Sequence, residues 1–353
     1  MKTLSVMLFL TMVQTVAGVP CSPPSIFAQK EDRQVNRDPA RSKFVTSDID
    51  NFWRAFDLSN KGPDRTKRIA IFQTEYIDKG SVGLRDFTRS KIKSAKDLAD
   101  TVEKLPRFYA SVRASSLRVQ KMEKEIRRAF RKFKDIYPEA VFPDVYFLIG
   151  IANAGGTVSK NGLLIGTELY GLTPETPRDE FLGWFKSLAP SGQDESQVRS
   201  MLERFLSIAL NPIDKLPPIV AHESVHFNQQ YPEHKSLLAV SIEEGSADFI
   251  AEKIAGETIS PRRQAYGNQH EAELWREFQT EMNGTNTGNW LSNALTAKDR
   301  PPDLGYFIGY KICESYYKHS KDKRRAIRDI LQIKDFAAFL EQSRYREKFT
   351  GRQ

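Results

Sequence analysis

Residues 219–231 read IVAHESVHFNQQY, in which two histidines stand four positions apart and a glutamate directly follows the first. Residues four positions apart share one face of an α-helix, so His222 and His226 can direct their imidazoles at a single metal ion. Glu223 would then lie beside that ion. The stretch therefore predicts two ligands of a metal site on one helix.

The flanking residues indicate where this helix begins and ends. Pro217 and Pro218 suit a first helical turn, and Pro232 cannot continue a helix, so a helix of about three and a half turns is expected. A second helix is expected over residues 237–254, with Gly256 as its stop. A short turn would join the two helices and allow them to pack side by side.

The second helix offers a third ligand. Zinc accepts imidazole nitrogen readily, and a catalytic zinc site has three protein ligands and a water. Glu244 lies 18 residues after His226, far enough for the chain to turn and fold back. Asp248 shares the face of Glu244 and can accept the free ring N–H of a ligand histidine, which orients the ring. His234, in the turn, is the rival third ligand.

A structural zinc ion is the alternative to a catalytic one. Structural sites are usually closed by four Cys or His ligands. The chain has only 2 cysteines, Cys21 and Cys313, and neither lies near the histidines in sequence. We therefore predict one catalytic zinc ion, and no disulfide framework to stabilise the fold.

The zinc segment resembles a known class of proteins. HESVH followed by E-x-x-x-D is similar to the gluzincins, the thermolysin-like clan of zinc metallopeptidases. The wider pattern runs from FQTEYIDKGSVGLRDF through YPEAVFPDVYFLIG to RPPDLGYFIGYKICESYY. That pattern looks like the bacterial Zn-dependent proteases of uncharacterised function, over roughly residues 45 to 320.

The resemblance implies a fold and a set of roles. The fold would be α+β and mostly helical, with a zincin-like catalytic domain, a small β-sheet and an N-terminal helical lobe. His222, His226 and Glu244 would be the zinc ligands, Glu223 the general base, and Asp248 the residue behind a histidine. A metzincin is excluded, because it would need glycine and histidine at the positions that Gln229 and Pro232 occupy. The G-x-M-x-N signature of gluzincin aminopeptidases is absent as well.

These residues together predict an enzyme, a secreted or periplasmic zinc metallopeptidase. A zinc-bound water would lose its proton to Glu223 and attack the carbonyl of a peptide or protein substrate. The apolar run NGLLIGTEL, residues 161–169, could be an edge strand to which an extended peptide adds, or a plain core hairpin. The alternative function is a non-catalytic, zinc-containing secreted binding or assembly protein, which would have no need of Glu223.

A donor to the developing oxyanion should lie downstream of the ligands. Tyr306 and Tyr310 stand four apart on a predicted helix, and each follows a glycine that would allow another helix to approach closely. We predict that one of these phenols is catalytic. The alternative is that both pack in the core, with His270 and Tyr231 as the other candidate donors.

The N-terminus has the layout of a secretory signal peptide. Lys2 precedes an apolar run that ends in small residues, so cleavage is expected after Gly18, or otherwise after Ala28. The mature protein would be exported, to the periplasm or outside the cell, without a stable membrane span; a retained anchor is the alternative. The Gly-Val-Pro before Cys21 is a poor match to a lipoprotein signal.

Composition divides the rest of the chain. We expect a signal peptide over residues 1–18, a polar linker over 19–45, a helical lobe over 46–137 and the zincin-like catalytic domain over 138–353. Hydrophobic residues make up 40% of the chain and charged residues 28%, which is ordinary for a globular protein.

The net charge of +8 is concentrated in one stretch, residues 118–134. Its apolar residues recur at helical spacing, so the basic residues fall on the opposite face. That face is either solvated or binds an acidic partner, and no nucleic-acid partner is predicted.

Overall fold

The computed structural model describes residues 35–62, 64–186, 194–209, 213–294, 296–297 and 299–350. The predicted signal peptide, with both of its candidate cleavage positions, lies outside the described residues. Within them, helices dominate and one small sheet is present, which confirms the α+β, mostly helical prediction.

Six helices form the first part of the fold. They are α1 (Ser47–Ser59), α2 (Arg65–Phe72), α3 (Val82–Phe87), α4 (Ala95–Lys104), α5 (Pro106–Ser116) and α6 (Glu123–Ile136). Asp64, Ser81 and Ser94 cap three of these helices by accepting a backbone N–H from the first turn. Single π-helical turns extend α2 and α3. The apolar faces carry many aromatic rings, which pack into the core.

The sheet has the strands β1 (Phe44–Val45), β2 (Asp144–Leu148), β3 (Gly156–Ser159) and β4 (Gly162–Gly166). In the described part of the chain their order is β1-β2-β4-β3, with β4 parallel to β2 and antiparallel to β3. The hypothesis that residues 161–169 offer an edge strand to a peptide is therefore wrong. Both sides of β4 are already paired, and all its residues are buried.

Helices make up most of the described chain after β4. They are α7 (Arg178–Lys186), α8 (Glu195–Ala209), α9 (Leu216–Asn228), α10 (Leu237–Ala255), α11 (Pro261–Gln269), α12 (Glu271–Glu281), α13 (Leu304–His319), α14 (Lys323–Leu331) and α15 (Phe336–Ser343). The two helices predicted from the histidine stretch are α9 and α10, and their predicted ends are confirmed. Gly256 stops α10 with a φ of 91°, in the left-handed region that favours glycine.

The helices α9 and α10 lie at the centre of the protein. Residues on nearly every side of both are buried, as expected for helices that are apolar all round. They pack against each other, against α6 and, through α10, against α13. A Cβ on Gly309 would lie 1.7 Å from the Ser241 carbonyl oxygen, so α13 approaches α10 as closely as its glycines predict.

Candidate metal centre

The three predicted ligands meet between α9 and α10. The Nε2 atoms of His222 and His226 lie 2.9 Å apart. One carboxylate oxygen of Glu244 lies 3.5 Å from the first of these nitrogens and 3.3 Å from the second. All three donor atoms fall within 4.8 Å of one another. We call His222, His226 and Glu244 the ligand cluster.

Each histidine of the cluster is oriented through its other ring nitrogen. Nδ1 of His222 lies 2.9 Å from a carboxylate oxygen of Asp248, the contact predicted from sequence. Nδ1 of His226 lies 2.7 Å from the amide oxygen of Gln229, which sequence analysis missed. The Gln229 amide nitrogen donates to the Glu243 carbonyl at 2.8 Å, which turns the amide oxygen toward the ring. Both Nε2 atoms are thereby directed into the cluster.

A buried arginine supports Asp248 from the other side. Arg263, on α11, forms an ion pair with the second Asp248 oxygen, and both side chains are nearly buried. Its guanidinium also lies over the ring of Tyr306, 4.6 Å from the centroid. Burial raises the pKa of the nearby Asp303 carboxyl to about 7, against the opposing field of Arg263. Arg263 thus favours the ionised form of two buried carboxyl groups, those of Asp248 and Asp303.

Electrostatics within the cluster favour an ionised Glu244 and a protonated His226. Burial opposes ionisation of Glu244, but the two imidazoles hold its pKa well below its usual range. Burial would lower the pKa of His226, whereas Glu244 raises it to about 10. A proton on His226 therefore competes with a metal ion, and metal affinity should fall as the pH falls.

Glu223 is fully buried, and neither of its carboxylate oxygens has a protein hydrogen-bond partner among the described residues. Burial raises its pKa, while His222, His226 and the more distant Lys91 oppose that rise. A buried carboxylate without a partner is costly. The chemistry fits a metal ion: two nitrogens and one carboxylate are a donor set that zinc accepts, and a metal-bound water would supply the missing donor to Glu223.

The two candidate tyrosines lie in different places. The ring of Tyr306 stacks beside His222, with centroids 6.3 Å apart, so this phenol belongs to the wall of the cluster. The ring of Tyr310 packs edge-on against Phe249, 5.4 Å away, and its hydroxyl interacts with Glu252. The structure brings Tyr306 to the cluster and leaves Tyr310 outside it.

His234, the rival third ligand, also lies outside the cluster. Its Nε2 pairs with Glu243 at 2.9 Å and its Nδ1 lies 2.8 Å from the Pro232 carbonyl oxygen. Both ring nitrogens are therefore occupied by protein acceptors. The geometry favours Glu244 as the third ligand.

A second buried carboxyl group, Glu168, follows β4. One of its oxygens accepts the Ala152 N–H at 3.1 Å, and the other has no partner among the described residues. This contact helps to hold Ala152 at a φ of 57°, which is unusual for a residue with a side chain. Burial raises the pKa of Glu168 to about 7.

Glu168 should make stability depend on pH. Its pKa is higher in the folded state than the 4.5 of an exposed glutamate, so its stabilising contribution is complete below pH 4.5 and is lost as the pH rises through about 7. The free-energy advantage of the parent over Glu168→Gln should therefore shrink by about 3 kcal/mol between pH 4 and pH 8. Urea denaturation of both proteins in chelator would measure it. A pH-independent difference would contradict the prediction.

Comparison with known proteins gives one family match. A family model described as gliding motility protein GldB, a lipoprotein family, matches residues 191–347. This range covers less than half of the 353-residue chain, but it includes the whole ligand cluster, Asp248 and Arg263. No curated protein matches the chain, and no solved structure does so either.

This match corrects the functional interpretation. The matching family is one of gliding motility proteins and not of zinc metallopeptidases, so the recognition of a gluzincin is wrong. The secreted zinc-peptidase function, and its description as a hydrolase, protease and metalloprotease, are wrong with it. The match gives no specific support to the alternative binding or assembly protein either. A pair of helices with ligand spacing fixes a local geometry, and one geometry can serve different functions.

Proposed function

We propose that the protein is an exported component of the cell envelope, related to gliding motility, that holds one zinc ion at the ligand cluster. The observation that carries the zinc site is the convergence of three donor atoms within 4.8 Å between two buried helices. The support for the role is the family match, which spans all three ligands.

A zinc ion at this position would join α9 to α10. Two ligands belong to α9 and one to α10, and the side chains of His222, His226 and Glu244 are only 2%, 10% and 12% exposed. A buried ion with ligands on both helices stabilises their packing, because the unfolded chain holds no preformed site. Catalytic roles for Glu223, Tyr306 and Tyr310, and a zincin-like character of this domain, stay predictions.

Attachment to the envelope is the second part of the proposal. The family that matches is one of lipoproteins, and no helix in the described ranges is both long and apolar enough to cross a membrane. Cys21 follows the N-terminal apolar run, whereas Cys313 is buried in α13. Cys21 is thus the residue that could carry a lipid, although Gly-Val-Pro before it fits a lipoprotein signal poorly. Incorporation of a labelled fatty acid, lost in Cys21→Ala, would test this.

The motility role can be tested together with the metal. Deletion of the gene in a gliding host should abolish movement over a surface, and the parent chain should restore it. His226→Ala, which lacks a ligand, should fail to restore movement at equal protein abundance, whereas His270→Ala, changed at a half-exposed histidine, should succeed. Undiminished gliding of the deletion strain would overturn the proposed role. Full rescue by His226→Ala would show that the motility role does not require zinc at the ligand cluster.

Zinc should remain bound when Glu223 is changed. Glu223→Gln removes a buried group that is adjacent to the cluster but is not one of its three ligands. We expect about one zinc ion per chain, as in the parent, measured by mass spectrometry after dialysis against zinc. After cobalt is substituted for zinc, the parent and Glu223→Gln should have the same visible absorption spectrum. Loss of the metal from this variant would show that Glu223 is itself a ligand.

The residues behind the histidines should set zinc affinity. Asp248→Ala and Gln229→Ala each remove an oriented acceptor of a ligand N–H. Each change should weaken zinc binding by roughly 10 to 100 fold, as measured by competition with a chromogenic chelator. Ser224→Ala is the control, because the Ser224 hydroxyl is equally buried on α9 but donates only to a carbonyl of its own helix. If either variant bound zinc as tightly as the parent, the residue changed in it would have no part in holding the metal.

A further inference from the structure

A strongly basic surface lies on α6, away from the metal. Its buried side holds Ile126, Ala129, Phe130 and Phe133. Its exposed side, with the short turn before it, presents the residues that we call the docking face: Lys121, Lys124, Arg128, Arg131 and Lys132. Within the described residues, no acidic group forms an ion pair with any of these five cations, whereas the neighbouring Arg127 is paired with Glu123.

The docking face is shaped as well as charged. Two shallow depressions, of about 340 and 400 Å³, lie along it, and Arg131 lines both. The first is lined by Arg128, Arg131, Lys132, Lys134 and one carboxylate, Asp135. The second is lined by Lys121, Lys124, Arg127, Arg131 and one carboxylate, Glu123, so cations outnumber carboxylates in both. Clustered cations around small depressions complement closely spaced phosphate groups.

The N-terminal end of the described chain lies at the same face. Pro39 lines the first depression. The Arg127 guanidinium donates to the carbonyls of Pro39 at 3.3 Å and Ser42 at 3.1 Å, which fixes this segment against α6. Thirteen residues, 22–34, separate Cys21 from Val35. The fourteen Cα–Cα steps from Cys21 to Val35 span at most about 50 Å, and the chain leaves the described fold on the side that carries the docking face.

We propose that the docking face binds the anionic phospholipid surface of the membrane that the protein is attached to. This inference rests on the proposed envelope attachment: a lipid on Cys21 would hold the protein at the membrane, and the docking face would add an electrostatic contact with anionic headgroups. Since α6 packs against α9 and α10, the bound protein would hold the metal helices one helix layer from the membrane.

The test uses the chain from residue 19 onward with Cys21→Ala, so that binding reports on the docking face and not on a lipid or on the apolar N-terminal run. Vesicles of phosphatidylcholine, with or without phosphatidylglycerol, would be sedimented with the protein at low and high salt. We expect binding only to vesicles with phosphatidylglycerol, and loss of that binding at high salt. Changing Lys124, Arg128, Arg131 and Lys132 to Gln should lower the partition coefficient at least 100 fold.

A matched control separates the docking face from net charge. Changing Lys160, Lys235, Lys321 and Arg324 to Gln removes the same charge from exposed positions elsewhere and should lower partitioning much less, by a few fold. Equal losses in both quadruple variants, or no binding of the parent to anionic vesicles, would overturn the proposal. Binding of the docking face to a soluble acidic protein in preference to anionic vesicles would overturn it as well. Zinc content would confirm that each variant is folded, and fatty-acid labelling of Cys21 independently tests the attachment.

Discussion

Replacement of His226 by Ala is expected to reduce bound zinc from about one ion per chain to nearly none. The change removes one of three ligands and leaves Glu244 facing His222 alone. Structural zinc binding in small domains is worth about 10 to 16 kcal/mol, so the loss of a ligand should be large. Metal content after zinc loading and dialysis would measure it.

The same variant should lose the stabilisation that zinc provides. A ligand present at about 1,000 times its dissociation constant adds roughly 4 kcal/mol to the free energy of unfolding. Addition of a chelator should therefore lower the melting temperature of the parent and leave that of His226→Ala unchanged. This comparison does not depend on any activity of the protein.

His234→Ala is the matched control for the ligand prediction. His234 is the rival ligand in sequence, yet it pairs with Glu243 outside the cluster. The variant should keep one zinc ion and its response to chelator. If His226→Ala kept stoichiometric zinc, or if His234→Ala lost it, the assignment of ligands would be wrong.

The geometry of the ligand cluster could be predicted because helical periodicity decides which side chains share a helix face. His222 and His226 must share a face of any helix, and Glu244 and Asp248 must share a face of the next one. Only the packing of α9 on α10 had to be assumed. The close approach of α13 to α10 was predictable from its glycines, whereas the sequence did not decide which of Tyr306 and Tyr310 would lie beside His222.

The supporting residues could not be predicted in this way. Gln229 lies just beyond the end of α9, where the backbone becomes extended, so no periodicity relates it to His226. An amide three residues after a ligand histidine was the available signal. Arg263 reaches Asp248 from α11, and only the tertiary fold brings the two together.

The position of β4 in the sheet was misjudged for a physical reason. Edge strands usually alternate apolar and polar residues, whereas a continuous apolar run is typical of a strand covered on both faces. GLLIG is such a run, and all five residues are buried between β2 and β3.

Replacement of Arg263 by Met should destabilise the protein by about 3 to 5 kcal/mol, the range for removing one partner of a buried ion pair. The Arg263 side chain is 11% exposed and that of Asp248 is 6% exposed, so water cannot replace the lost cation. The change also removes the positive charge that favours the ionised form of Asp303. Urea denaturation in chelator would separate this effect from zinc binding.

Arg113→Met is the control, because Arg113 also pairs with a carboxylate and covers an aromatic ring, that of Trp53. Its pair with Asp57 is exposed, at 41% and 49%, so the change should cost less than about 1 kcal/mol.

The cost of Arg263→Met should shrink when Asp248 is changed to Asn as well, since no unpaired charge then remains. Arg263 holds the pKa of Asp248 down against burial, so the cost should also shrink as the pH falls and that carboxyl is protonated. Equal costs for the two arginine variants at pH 7 would show that Arg263 does not neutralise a buried charge.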